Sequence, residues 1–415
     1  MIPASATTAL TPTAAREREP ILDVLRGFAI LGILLVNVEF MRGTEWMAAA
    51  GDPAPDARTT ADIVAQFVIG WLASGKFLSS LAILFGIGAA MIAARARKAG
   101  ASPRPLLARR YAWLMLFGLA HMLLLYPGDI LLIYGLTGSI LLAFVNLRVR
   151  AIVAWAAGLL AFYTLTGVRY ARLYAYSAST FVDSAAESSV DPLHGLRARS
   201  IEAFAQGSYL DIVSVHAAQA LTLQGYQVAA LPWILALFLI GYAVGRSGFL
   251  EDLAAHRPLL RLLAIAGIAG GLAANIAVGL GGPLGAYAGS VDPRAIGTLV
   301  AATLGQSLGA PLLAIGYLCT LSLYCLARGP IRPLAAVGRM ALTAYLLQSA
   351  LALSVIAGLR LYDQLSTTAS LLIVAGTWTV LLVACPLWLR HFQYGPVEWL
   401  WRSLSYGRMQ PMVRH

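Results

Sequence analysis

The feature that most constrains this chain is a recurrence: stretches of about twenty apolar residues return along it, separated by short loops that carry most of its charge. A helix rising about 1.5 Å per residue needs about 20 residues to cross about 30 Å of hydrocarbon. Runs of that kind begin near Ile21, Ile63, Leu106, Ile130 and Ile152, and again near Val228, Pro258, Ile296, Val337 and Thr368. The expected fold is therefore all-α, a polytopic membrane helix bundle of about ten transmembrane helices. Composition agrees: 59% of the 415 residues are apolar and 12% are charged, where an ordinary soluble domain has about 25% charged residues. Most of the surface must face lipid.

In a soluble protein a net charge of +11 would point to nucleic acid, but here the basic residues fall between apolar runs, so they report topology and no nucleic-acid partner is expected. Arg95, Arg97, Lys98, Arg104, Arg109 and Arg110 form one cluster and Arg148 with Arg150 another, and both are expected in the cytoplasm. Alternation from there also puts Arg246, Arg257 and Arg261 inside, followed by Arg328, Arg332 and Arg339, and then Arg390, Arg402, Arg408 and Arg414. Glu45, Asp52, Asp56 and Asp62 fall on the other side, with the Tyr126-Pro127-Gly128-Asp129 turn and the segment 168–222. The resulting division is a cytoplasmic tail 1–20, a five-helix half 21–167, an outer segment 168–225 with amphipathic helices on the interface, a second five-helix half 226–389 and a tail 390–415. The stretch 63–94 is too long for one upright span, so a tilted first part and a join near Gly75-Lys76 are expected. Residues 1–20 lack the apolar centre of a cleaved signal peptide. Cys319, Cys325 and Cys385 lie in apolar segments without metal-ligand spacing and read as packing residues; no metal is expected.

Ionisable groups at membrane depth cost several kcal/mol, so those that stay need a partner, a cavity or a function. On the first helix Asp23 and Arg26 stand three apart, and Asn37 follows Arg26 by eleven residues, about 20° round the helix. This polar stripe reads either as an ion pair with an interhelical hydrogen bond or as the lining of a substrate cavity. Arg110 and His121 also stand eleven apart, about 16 Å along one face of the third helix. Pro127-Gly128 then break the chain, and Asp129 opens the next helix from the outer side, where the helix dipole favours a carboxylate. A carboxylate beside a His fixes its tautomer and raises its basicity, so His121 and Asp129 are candidates for a base and its orienter; a structural hydrogen bond is the alternative. Asn275, Gln306 beside Pro311, and Gln348 read as helix-packing groups, and Gly86 and Gly88 as sites of close helix approach. The chain has no nucleotide-binding glycine loop, nucleophile elbow or zinc-protease motif.

The stretch Leu22-Asp23-Val24-Leu25-Arg26-Gly27-Phe28 through Asn37 resembles the opening of the YeiB-type bacterial membrane proteins. Further matches are Lys76-Phe77, Leu84-Phe85-Gly86-Ile87-Gly88, Gly118-Leu119-Ala120-His121, Gly128-Asp129-Ile130-Leu131, Gly338-Arg339-Met340-Ala341-Leu342-Thr343-Ala344-Tyr345 and Gly395-Pro396-Val397-Glu398-Trp399-Leu400-Trp401-Arg402. The same opening, with Thr60-Ala61-Asp62-Ile63-Val64, is similar to a wider group of transmembrane acyltransferases of the heparan-α-glucosaminide N-acetyltransferase kind. That resemblance implies a multi-pass protein of the bacterial inner membrane moving an acyl group from cytoplasmic acyl-CoA, the one expected co-substrate, to a saccharide, lipid or small-metabolite acceptor. The lysosomal enzyme carries its catalytic His in the loop after the first helix; residues 42–62 contain none, so His121 would take that role. On this reading His121, Asp129 and Asn37 are catalytic, with Asn37 holding the oxyanion. Arg26, Arg109 and Arg110 hold the anionic donor, and Asp62 and Gln348 contact the acceptor. The competing reading is a transporter or exporter of a small organic solute, for which an inverted repeat would speak and none is visible. The expected partners are the bilayer and the acceptor, and a homodimer is left open.

Overall fold

The computed structural model describes residues 20–47, 59–181, 194–280 and 296–414, with backbone alone for 174–181 and His194. The tail 1–19, Asp52 and Asp56 of the acidic loop, and 182–193 of the outer segment lie outside the described residues. The described residues form an all-α polytopic bundle. Its helices are α1 (Pro20–Met41), α2 (Thr60–Leu72), α3 (Lys76–Lys98), α4 (Pro103–Leu124), α5 (Leu131–Leu141), α6 (Val149–Phe181), α7 (His194–Ala205), α8 (Tyr209–Ala229), α9 (Leu231–Arg246), α10 (Arg257–Ala274), α11 (Ile276–Leu280), α12 (Ile296–Leu304), α13 (Ala310–Arg328), α14 (Arg332–Arg339), α15 (Ala341–Gly358), α16 (Thr367–His391) and α17 (Pro396–Tyr406).

Local chemistry fixes many of these boundaries. Pro103, Pro232, Pro258, Pro333 and Pro396 each occupy one of the first two positions of a helix, where the missing N–H is no loss. Thr59 with Asp62, and Ser208 with Asp211, form reciprocal capping boxes at the starts of α2 and α8. The expected join at Gly75-Lys76 is present: Gly75 precedes α3 at φ 79°, a left-handed conformation that glycine adopts without steric cost.

Each of the ten sequence-derived starts falls in or beside a helix, but the spans differ in kind. Among the described residues, seven helical stretches are long and apolar enough to cross a membrane, or eight if α8 and α9, bent by 56°, count as one span. Of the remaining two, α4 has 22 residues but carries Arg104, Arg109 and Arg110 in its first turns, and α5 has only 11 residues, about 16 Å of helix. Leu165, Ile265 and Leu372 are 69%, 70% and 75% exposed on three of the long helices, as lipid-facing side chains are. Small residues bring the inner helices together. Gly27 and Gly338 lie against the backbone of Leu334 and Asp23 where α1 crosses α14, and Gly86 and Gly241 do the same where α3 meets α9. Gly88 differs from the expectation, because nothing stands where its Cβ would be.

The outer segment is continuous with the helices on either side. α6 runs on through residue 168, and α8 continues through the bend into α9. α7 and α8 pack over the end of α1 through Phe40, Trp46, Phe204, Val215 and Tyr362. Beside them Arg42, buried, binds Glu39 at 3.1 Å and Glu45 at 2.8 Å and donates to the Leu365 carbonyl at 2.7 Å.

Candidate functional site

A cavity of about 280 Å³ opens among α1, α3, α4, α5, α14, α15 and α17. Its charged lining is Asp23, Arg26, Arg95, Arg110, Arg339, Glu398 and Arg402, all near the ends of their helices that the sequence assigns to one side. Asp23 accepts from Arg26 at 2.7 Å, and the Arg110 guanidinium stacks 3.9 Å above Trp401. α17 closes this end. The Trp401 indole donates to the Arg110 carbonyl, and the Glu398 carboxylate accepts from the Leu342 and Thr343 N–H groups at 2.5 and 2.9 Å, capping the start of α15. Burial pushes the Glu398 carboxyl above its usual range, while the hydrogen bonds from Thr343 and Leu342 pull it back.

Deeper in, the lining turns apolar and aromatic: Ile30, Phe85, Tyr111, Leu114, Ile130, Tyr134 and Tyr345. Gly88 also lines the wall, which accounts for the open space at its Cβ. The Tyr345 ring, 1% exposed, lies 4.9 Å from the ring of His121. His121 Nδ1 meets Asp129 Oδ1 at 2.7 Å, and both side chains are buried. The second oxygen, Oδ2, accepts from the Leu132 N–H at 2.8 Å and so holds the carboxylate at the first turn of α5. Gly118, one turn before His121, allows this: a Cβ there would stand 2.7 Å from Asp129 Oδ2 and nearer still to the α5 backbone. In a neutral imidazole, an Nδ1–H donated to the Asp129 carboxylate leaves the lone pair on Nε2. His121 Nε2 has no hydrogen-bond partner among the described residues.

The helices extend the cavity's line beyond Tyr345. Leu114 and His121 are seven apart on α4, as are Ile30 and Asn37 on α1, so each polar residue sits about 10.5 Å further along nearly the same face. Gln348 follows Tyr345 by one turn on α15. Asn37 Nδ2 and both side-chain polar atoms of Gln348 are buried without a hydrogen-bond partner among the described residues. Such atoms in a native interior are ordinarily satisfied by water or a ligand.

The residues singled out from the sequence thus take five different places. His121 and Asp129 are in direct contact, and Arg26 and Arg110 line the cavity. Asn37 and Gln348 lie on the extended stripes but outside the lining. Arg109 is exposed and off the cavity, because the step from 109 to 110 turns its side chain about 100° round α4. Asp62 is engaged elsewhere: Oδ2 accepts from Thr59 and Oδ1 from the N–H and hydroxyl of Thr368, tying α2 to α16. Sequence reasoning passed over Arg95, Arg339, Trp401, Arg402 and Tyr345 as site residues. The signal for Arg339, Tyr345, Trp401 and Arg402 was present in the matched stretches, and that for Arg95 in the basic cluster that follows one of them. Among the described residues no group of His, Cys, Asp or Glu is placed to hold a metal, and the three cysteines are buried and unpaired.

Three comparisons bear on the family. The model for "Protein of unknown function (DUF418)" matches residues 244–408. The chain is 30% identical to "Uncharacterized protein YxaH" of Bacillus subtilis over 98% of its length and 99% of that protein. It is 30% identical to "Uncharacterized protein YeiB" of Escherichia coli over 96% of its length and 98% of that protein, and 25% identical to an uncharacterized 39.9 kDa protein of Bacillus acidopullulyticus over 97% and 98%. No solved structure matches the chain significantly. With two relatives at this identity over nearly the full length, the chain belongs to the YeiB-type DUF418 family of multi-pass membrane proteins.

Proposed function

We propose that this protein is a membrane acyltransferase that takes an acyl group from a coenzyme A thioester in the arginine-lined cavity and passes it to an acceptor reached beyond Tyr345. One observation carries the reading: a buried His–Asp pair with an unpartnered imidazole nitrogen stands just past the deep end of a cavity whose open end gathers Arg26, Arg95, Arg110, Arg339 and Arg402. Arginine clusters suit phosphate groups, and a slot narrowing to aromatic walls suits the pantetheine arm that carries a thioester. His121 Nε2, with its tautomer set by Asp129, is the base for an acceptor hydroxyl or amine. The basic end faces the cytoplasm, where acyl-CoA is made, by the positive-inside rule.

The unpartnered polar atoms of Asn37 and Gln348, continuing the line of the cavity, also suit a solute path, and this favours transport as the second reading. The two readings part on covalent product. Purified protein in nanodiscs, given labelled acyl-CoA and a panel of saccharide, lipid and metabolite acceptors, is expected to form a labelled acyl product. Solute movement in proteoliposomes with no acyl product from any donor would overturn the proposal.

A further inference from the structure

We propose that Tyr345 is a catalytic residue of this acyl transfer, the donor that holds the oxyanion formed on the thioester carbonyl. The inference rests on the acyltransfer reading above and moves the oxyanion role from Asn37. Three observations carry it. Tyr345 lines the deep end of the cavity, where a thioester entering from the arginine end arrives, whereas Asn37 lies about 10.5 Å beyond the last cavity residue of α1. Its ring packs against that of His121, with centroids 4.9 Å apart, so the lining tyrosine is in contact with the base just behind the cavity wall. Its hydroxyl oxygen accepts from the Ile130 N–H at 3.3 Å, and Ile130 is the residue that opens α5.

That last contact polarises the hydroxyl. A phenol oxygen that accepts a hydrogen bond donates a stronger one. Here the accepted bond comes from the start of an 11-residue helix, whose positive end favours negative charge nearby. No described group accepts the Tyr345 proton, so it is available to a ligand. The reaction then balances as follows. The acceptor oxygen or nitrogen bonds to the thioester carbonyl carbon as its proton passes to His121 Nε2. The carbonyl π electrons move onto oxygen, and that oxyanion accepts from the Tyr345 O–H. Collapse reforms C=O and breaks the C–S bond, and the leaving thiolate takes the proton from His121, giving the acylated acceptor and free coenzyme A.

The test is Tyr345→Phe, which keeps the ring against His121 and removes only the hydroxyl. Loss of one oxyanion donor lowers kcat by about 10²–10³-fold, with KM and equilibrium binding of acetyl-CoA within about twofold of wild type. A kcat within about threefold of wild type would overturn the assignment while leaving the acyltransfer reading intact. A wild-type protein that transfers no acyl group would overturn both. Should the Phe variant not fold, Tyr345→3-fluorotyrosine keeps size and hydroxyl but makes the phenol more acidic. Its kcat–pH profile is expected to fall off at lower pH than that of wild type, and an unchanged profile would overturn the assignment.

Discussion

Replacing Asp129 with Asn tests the His–Asp pair with almost no change of shape, and the structure fixes what the substitution does. Asp129 has two partners: Oδ2 accepts from the Leu132 N–H at 2.8 Å and Oδ1 faces His121 Nδ1 at 2.7 Å. An amide has one oxygen and one NH2 group. Leu132 N–H can only donate, so the amide oxygen must take the Oδ2 position and the NH2 group must face His121. Nδ1 is then forced to accept, the ring proton moves to Nε2, and the nitrogen that should receive the acceptor's proton is already protonated. The analogous change in a serine-protease triad lowers kcat about 10⁴-fold through the same tautomer reversal. A loss of about 10³–10⁴-fold, or about 4–5.5 kcal/mol of barrier, is expected here. Since Asp129 does not line the cavity, donor KM and binding should stay within about threefold. The assay is steady-state transfer from labelled acetyl-CoA, with donor affinity read by equilibrium binding. A kcat within about tenfold of wild type, or a donor affinity that falls in step with kcat, would refute the argument.

Other substitutions test the frame and the mouth of the cavity. Arg42→Met leaves Glu39 in the interior without its cationic partner, held only by the Thr367 and Ser370 hydroxyls, and should lower stability by about 3–5 kcal/mol, seen as a drop in melting temperature and monodisperse yield. Gly86→Ala drives a methyl into the Phe238 carbonyl and should unfold the α3–α9 contact, whereas Gly88→Ala meets open space; the second variant should keep its melting temperature and lose donor affinity by narrowing the cavity. Neutralising Asp23 and Arg26 together should harm folding less than neutralising Arg26 alone, since the single change leaves a carboxylate unpaired; equal yields would count against the pairing. Arg402→Gln should raise donor KM several-fold, and more at low than at high ionic strength, with kcat little changed.

What the sequence made legible was whatever is local along the chain. The apolar runs, the Gly75 join, the Asp23–Arg26 pair and the His121–Asp129 contact all join residues within a few turns, and helical periodicity or a single Pro-Gly break relates them. Arg95, Arg110, Arg339 and Arg402 were legible as loop charges but not as one cavity, because their convergence depends on how α3, α4, α14 and α17 pack. Single-residue spacing also fails to say which of two adjacent arginines faces inward, as Arg109 and Arg110 illustrate. The surroundings of Asp62 were only half legible: a Thr59-to-Asp62 capping box is readable in sequence, but its second engagement, with Thr368, comes from over three hundred residues away. The span count was hardest at α4 and α5, where one helix carries arginines in its first turns and the other has only 11 residues.

The most direct measurement is single-turnover transfer by His121→Ala in nanodiscs, run beside wild type with acetyl-CoA binding followed in the same preparations. The account expects acetyl-CoA to bind both proteins with affinities within about threefold, while the variant's transfer rate falls by at least about 10³-fold, because binding lies with the arginines at the mouth and proton transfer lies with the imidazole. Transfer by the variant at a rate near that of wild type, or a wild-type protein that binds acetyl-CoA and never releases free coenzyme A, would contradict it.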